Sequence, residues 1–338
     1  MKYRILGKTG LKVSVIGFGG IPIQRVSEQA AVQIVERALD LGINFFDTAR
    51  GYTDSEAKLG SVLKGRRTEA IIATKSMART KEAMAADIKK SLAELGVDYI
   101  DLYQLHNVKD ENALNQALAP DGALAALQEA KKEGLIRHIG ITGHIKDFLV
   151  KALKTSDLLE TVQFPFNAVE DAESRELLEM ARKVNAGVIA MKPLAGGALK
   201  NAGPALRFIL EHPAAIAIPG MDTVEQVESN ARIGDNPEPL TGLERELLNK
   251  EVVGLGTAFC RRCEYCQPCP EGVEIPMVFL LDGYFTRYNL QNWARQRYGE
   301  LKVKASSCVE CGQCEEKCPY ELPIRKMLAE AAARLDKQ

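Results

Sequence analysis

The chain has 338 residues, a formal net charge of −1, 46% hydrophobic residues and 26% charged ones. That length suits about two domains, and the balanced charge offers no basic field for nucleic acid or an anionic membrane surface. No apolar run approaches the roughly 18 residues of a membrane helix, and residues 1–4 lead into alternating polar and apolar positions, not a signal-peptide core, so a cytoplasmic chain is expected.

From the N-terminus, residues 3–14, with Gly7 and Gly10, predict a hairpin. Short apolar runs at 13–18, 44–48, 70–74, 99–105, 136–141, 161–166, 187–191 and 215–218 predict eight strands. Longer amphipathic segments lie between them. Ser27 is placed to cap a helix over 27–41 that stops at Gly42, and similar helices are expected over 87–95 before Gly96, 122–132 before Gly134, and 174–184. The eightfold alternation predicts an α/β fold, a (β/α)₈ TIM barrel with the opening hairpin plugging its floor. An open doubly wound sheet fits less well, because Gly17-Phe18-Gly19-Gly20 lacks the G-x-G-x-x-G spacing after a first strand. Asp235-Asn236-Pro237-Glu238-Pro239 breaks the rhythm, and 241–253 predicts one more helix with Thr241 near its cap. Residues 276–301, rich in aromatics (Phe279, Tyr284, Phe285, Tyr288, Trp293), predict helix in a second, smaller domain. The expected division is 1–254 and 255–338.

In such a barrel the reacting groups sit at the C-terminal ends of the strands and in the following loops. Those positions hold Asp47, Tyr52, Lys75 and His106. Singly, each has an ordinary explanation: a helix cap, a loop aromatic, a solvated charge, a core histidine. Three successive strand ends bearing them together point to chemistry. The segments Phe45-Phe46-Asp47-Thr48-Ala49-Arg50-Gly51-Tyr52, Ile71-Ile72-Ala73-Thr74-Lys75 and Asp101-Leu102-Tyr103-Gln104-Leu105-His106 resemble the three signature segments of the aldo/keto reductases. The resemblance implies a barrel that reduces or forms a carbonyl with NADP or NAD, and a catalytic tetrad of Asp47, Tyr52, Lys75 and His106. The chemistry agrees. A carbonyl that accepts hydride needs a proton, and a tyrosine of pKa about 10 gives one up more readily beside an ammonium such as Lys75.

The same resemblance implies the cofactor contacts. Gln163 stands at the carboxamide position, and Thr142 stands where the family's serine lies. Met191 takes the place of a stacking tyrosine, followed by Pro193 and Leu194. Gly220, Met221, Gln226 and Asn230 form the adenine and phosphate segment, with Gly220 and Gln226 at the two positions where relatives carry basic residues. Weak discrimination between NADH and NADPH is expected, since a phosphomonoester prefers arginine or lysine.

All eight cysteines lie between Cys260 and Cys318. Disulfides need an oxidising compartment, and zinc sites normally use two C-x₂-C pairs. Cys308-x₂-Cys311-x₂-Cys314-x₃-Cys318-Pro319 is instead the bacterial ferredoxin run, and Cys260-x₂-Cys263-x₂-Cys266-x₂-Cys269-Pro270 is the same with one residue fewer. This region resembles the ferredoxin-like tail of one aldo/keto reductase branch. It implies two [4Fe–4S] clusters, one on Cys260, Cys263, Cys266 and Cys318 and the other on Cys308, Cys311, Cys314 and Cys269. His138, His144 and His212 are expected to be structural, with His144 near the pocket.

The leading expectation is an oxidoreductase on a small-molecule carbonyl or alcohol, with Tyr52 as proton donor and the clusters exchanging electrons or capping the mouth. The alternative is an electron-transfer iron–sulfur protein whose barrel serves a ferredoxin or another redox partner.

Overall fold

In the computed structural model, residues 1–255, 259–262, 265–287, 290–318 and 320–337 are described. The opening hairpin pairs β1 (Tyr3–Ile5) antiparallel with β2 (Lys12–Ser14). Eight parallel strands follow in one sheet: β3 (Phe18–Gly19), β4 (Phe45–Asp47), β5 (Ile71–Ser76), β6 (Ile100–Leu105), β7 (Ile136–Thr142), β8 (Thr161–Pro165), β9 (Gly187–Met191) and β10 (Ala215–Ala217). Their order in the sheet is their order in the chain. Parallel bridges Ile16–Ala217 and Gly19–Gly220 join the first edge to the last, so the sheet closes into a barrel.

The single expected strand over 13–18 is two pieces. Lys12–Ser14 belongs to the hairpin and Phe18–Gly19 to the barrel, with the chain turning between them. Val13, Val15, Ile16 and Phe18 are all buried, so the apolar run continues across the turn and periodicity alone sees one strand. The other seven strands fall where the apolar runs lie.

Helices separate the strands. They are α1 (Glu28–Asp40), α2 (Ser55–Leu63), α3 (Lys81–Leu95), α4 (Glu111–Leu118), α5 (Ala123–Lys132), α6 (Lys146–Thr155), α7 (Asp171–Lys183), α8 (Ala202–Leu210) and α9 (Val224–Asp235). The punctuation foreseen in the sequence is used. The Ser27 side chain caps α1 by accepting from the Ala30 N–H, and Gly96 ends α3 in the left-handed region at φ 64°. Helix α10 (Gly242–Leu255) opens on a capping box: Thr241 Oγ1 accepts from the Glu244 N–H at 3.2 Å, and Glu244 Oε2 accepts from the Thr241 N–H at 3.0 Å.

Leu6 and Val13 of the hairpin are buried with Phe45, Ala73, Leu102, Ile189 and Ile216, which project from β4, β5, β6, β9 and β10. The hairpin thus closes one end of the barrel. Its approach is tight, since a Cβ on Gly187 would lie 2.6 Å from Leu6 Cγ.

The chain divides into two compact units, Met1–Ala195 with Asn201–Leu248, and Gly196–Lys200 with Asn249–Gln338. The second unit carries α11 (Ile275–Thr286), α12 (Gln291–Gly299), the short α13 (Gln313–Glu316) and α14 (Ile324–Leu335). The helical stretch expected over 276–301 is therefore two helices, and Tyr288 between them lies outside the described residues. Val273, Ile275, Val278, Leu281, Ala294, Tyr298, Leu322, Ile324, Leu328, Ala331 and Leu335 form its core together with Cys266 and Cys314. Arg334 grips Asp282 with two nitrogens at 2.6 and 3.0 Å, tying α14 to α11. Among the described residues no helix is long and apolar enough to cross a membrane.

Candidate active site and cysteine hollows

Strand register assembles the catalytic candidates. Asp47 ends β4, and Lys75 lies near the end of β5 directly opposite Gln104 of β6. The Lys75 ammonium donates to Asp47 Oδ1 at 2.6 Å and to the Thr48 carbonyl at 2.8 Å, with both side chains almost fully buried. Burial pushes the Asp47 carboxyl up and the Lys75 amine down, and the attraction between the pair opposes both shifts.

Tyr52 lies in the loop after β4. That loop is fixed because Arg50 donates its backbone N–H to the Lys75 carbonyl at 3.0 Å, and its guanidinium pairs with the buried Glu56. Lys75 Nζ lies 5.1 Å from the centre of the Tyr52 ring. His106, just past β6, meets the same ring edge-on with centroids 5.9 Å apart. Burial, aided by the positive charges of Lys75, Arg79 and Lys192, pushes the His106 imidazole down to about 3, so it is neutral at physiological pH. The structure thus brings all four residues together.

Gln163 of β8 joins them, its Nε2 donating to Asp47 Oδ1 at 3.3 Å while its Oε1 accepts from Gln104 Nε2 at 2.8 Å. Thr142 ends β7 opposite Gln163, and its hydroxyl accepts the Asn107 N–H at 2.9 Å. Met191 ends β9, followed by buried Pro193 and half-buried Leu194. Gly220 and Met221 follow β10, and Gln226 and the buried Asn230 lie on α9. Thr223 caps α9 by accepting the Gln226 N–H, while Gln226 Oε1 accepts the Asp222 N–H at 2.9 Å. A side chain at position 220 is excluded, because a Cβ there would lie 2.5 Å from Pro22.

Arg232 is exposed and pairs with Glu228 at 3.8 Å. Of the three remaining histidines, His138 pairs with Glu160 at 2.7 Å, and His212 packs edge-on against Phe166 and Phe208. Two residues were not singled out from the sequence. Gln104 is a fully buried amide inside the apolar run of β6, an irregularity that could have flagged it. Arg25 pairs with Asp222 at 2.9 Å, next to Met221, with no local signal in the sequence.

The cysteines of the second unit line two neighbouring hollows that share Cys266 and Ile275. The first is lined by Cys269, Cys308, Cys311 and Cys314, with Cys266 between the two hollows. The second is lined by Cys260, Cys266 and Cys318, while Cys263 lies outside the described residues. Each hollow draws cysteines from both sequence groups. Among the described residues no group of three or more His, Cys, Asp or Glu side chains is placed to hold a metal ion. Burial, with Glu315 and Cys308 nearby, pushes the Cys314 thiol up.

Comparison with known proteins agrees with both units. The profile of the Aldo/keto reductase family matches residues 15–204, and that of the 4Fe-4S dicluster domain matches residues 259–323. L-galactose dehydrogenase of Arabidopsis thaliana is 37% identical over 225 residues, covering 60% of this chain and 69% of that protein. D-threo-aldose 1-dehydrogenase of a Pseudomonas species is 28% identical, covering 58% and 70%. An aldo-keto reductase from Bacillus halodurans in its holo form superimposes with a TM-score of 0.65 at 28% identity, over 74% of this chain and 96% of that one. One from Klebsiella pneumoniae in complex with NADPH does so with a TM-score of 0.64 at 25% identity, over 74% and 94%. With a closed parallel barrel, its polar residues gathered at the strand ends, and a profile match over more than half its length, this chain belongs to the aldo/keto reductase family and is an oxidoreductase with a C-terminal 4Fe-4S dicluster domain.

Proposed function

We propose that the barrel interconverts a small carbonyl compound and its alcohol with NADP or NAD, with Tyr52 handling the proton. The observation that carries this is the buried Asp47–Lys75 pair beneath Tyr52 with neutral His106 at the ring's edge. Lys75 stabilises the charge that develops on the Tyr52 oxygen as its proton leaves, and Asp47 holds the ammonium in place. His106, being neutral, keeps one ring N–H to donate to the substrate oxygen.

The fit to a nicotinamide cofactor rests on this chain's residues. Asp47 Oδ2, Gln104 Oε1 and His106 Nδ1 are buried without a hydrogen-bond partner, the mark of a polar site that expects a ligand. Gln163 and Thr142 would hold the carboxamide, Met191, Pro193 and Leu194 the ring, and Gly220, Met221, Gln226 and Asn230 the adenine and phosphate end. When bound, the reduced nicotinamide supplies the hydride. The α9 N-terminus suits phosphate, but Gly220 and Gln226 supply no positive charge, and Arg25 is engaged by Asp222. This supports use of both NADH and NADPH.

In the second unit, the two hollows support two [4Fe–4S] clusters. Cys269, Cys308, Cys311 and Cys314 would hold one, and Cys260, Cys263, Cys266 and Cys318 the other. When bound, such clusters supply one-electron transfer, which fits exchange with a ferredoxin-like redox partner. We read 1–254 as the catalytic domain and 255–338 as the electron-transfer domain.

The test is kinetic. Tyr52→Phe should lower kcat by about 10²–10⁴ while both cofactors bind as in the wild type, measured by fluorescence titration. Near wild-type turnover on a good carbonyl substrate would remove Tyr52 from the reaction. In the wild type the two cofactors should differ in affinity by less than about tenfold, since each charge-assisted phosphate contact forgone is worth roughly 1.5–3 kcal/mol.

A further inference from the structure

His106 lacks the usual support of a functional histidine. A catalytic imidazole is normally oriented by a hydrogen bond to its other ring nitrogen, yet His106 Nδ1 is buried with no such partner. What holds the residue is its backbone. The His106 N–H donates to the Ser76 carbonyl at 2.9 Å, and the Arg79 guanidinium donates to the His106 carbonyl at 2.6 Å. The same Arg79 nitrogen reaches the Asn107 carbonyl at 3.0 Å. Asn107 stands at φ 52°, a left-handed conformation uncommon for a residue with a side chain, at the point where the chain leaves β6. Its N–H is tied to Thr142 Oγ1 at 2.9 Å. Arg79 therefore grips both carbonyls of the turn that carries the imidazole.

We propose that Arg79, in the loop after β5, is a positioning residue: its guanidinium clamps the His106–Asn107 turn and thereby sets the His106 ring against Tyr52. Arg79 also fits this task better than lysine would. A planar guanidinium holds that nitrogen's two N–H groups in a fixed plane, whereas an ammonium is a point charge on a flexible stem. Arg79 is itself anchored, because its carbonyl accepts the Ala123 N–H at 2.9 Å and an antiparallel bridge joins the adjacent Thr80 to Gly122. Its positive charge further disfavours protonation of His106, which preserves the neutral ring that the reaction uses.

The proposal rests on the reading of His106 given above, so the experiment separates the two. Full-length protein with its clusters reconstituted is assayed as wild type, Arg79→Ala, His106→Ala and the double variant, with kcat, KM and cofactor affinity measured for each. Arg79→Ala should lower kcat by about 10²-fold, the order expected when a catalytic group is misplaced by an ångström, and cofactor affinity should stay unchanged. Arg79→Lys should lie between, and added guanidinium should restore part of the Arg79→Ala rate. In the His106→Ala background, Arg79→Ala should cost nothing further, because a residue that acts through another loses its effect when that other is gone. An equal loss in both backgrounds would show that Arg79 acts elsewhere and would overturn the proposal. So would an Arg79→Ala loss confined to cofactor affinity, or unchanged turnover in Arg79→Ala. If His106→Ala alone keeps wild-type turnover, the site reading beneath the proposal falls first. Should Arg79→Ala not fold, Arg79→Lys carries the same cycle.

Discussion

The barrel and the cysteine unit solve the problem of stability by different means. The barrel buries a long set of aliphatic and aromatic side chains from Val15 and Phe18 to Val227 and Ala231 on one face of its strands, and a smaller set with Phe45, Leu102 and Ile189 on the other. The cysteine unit has a short apolar core, and two of its members are the thiols Cys266 and Cys314. Its polar ties are local. Lys304 Nζ donates to the carbonyls of Tyr298, Gly299 and Leu301 at the end of α12, and the Tyr298 hydroxyl accepts the Ala305 N–H at 2.8 Å. A barrel that stabilises itself can keep buried polar and charged groups such as Asp47, Lys75 and Gln104 at its mouth. A small unit with a thin core depends on what its cysteines bind.

Iron removal should divide the two regions most sharply. Chelation under reducing conditions should cost the cysteine unit roughly its whole folding stability and leave the barrel untouched. Hydrogen exchange followed by mass spectrometry would then show rapid exchange in 265–287 and 290–318, with β4 to β9 still protected. Retained protection in the cysteine region would mean that its apolar core suffices.

A smaller effect in the opposite place comes from Gly187→Ala. The added methyl would lie 2.6 Å from Leu6 Cγ and should cost the barrel about 1–3 kcal/mol by overpacking. Thermal unfolding followed by far-ultraviolet dichroism should shift down while the visible absorbance of the iron–sulfur domain at room temperature stays the same. Loss of that absorbance would show that the two units stand or fall together.

Mild acid should distinguish them least. All four histidines precede the cysteine region. Burial, with neighbouring positive charge, holds His106 down at about 3 against an ordinary 6.5. Folding therefore favours its neutral form, a contribution fully present above pH 6.5 and lost as the pH falls toward 3. The slope from this one group is at most about 1.4 kcal/mol per pH unit. Glu160 adds a separate loss at lower pH. Burial alone would raise its carboxyl, but hydrogen bonds from His138, Lys131 and the Ile139 N–H prevail and hold it at about 2. Denaturant unfolding of wild type and His106→Gln at pH 7 and pH 5 isolates the first contribution. Parallel curves would mean that the imidazole is not buried as neutral.

By itself the sequence determined the strand order, the helix caps and the catalytic candidates, because these depend on local patterns. Apolar runs of strand length, Ser27 before α1, Gly96 after α3, and polar residues at successive strand ends are all visible within a few positions. The cysteine spacing likewise marks metal chemistry within a short stretch of chain. Only tertiary structure decided where one buried run becomes two strands, as at 13–19, since burial on both sides erases the period that would separate them. It also decided which residues support the site. Gln104 meets Gln163 across 59 positions of sequence, Arg25 meets Asp222 across 197, and Arg79 reaches the His106 carbonyl across 27. The parallel barrel makes neighbours of residues far apart in the chain, and a hydrogen bond formed in this way leaves no trace in the order of the amino acids around either partner.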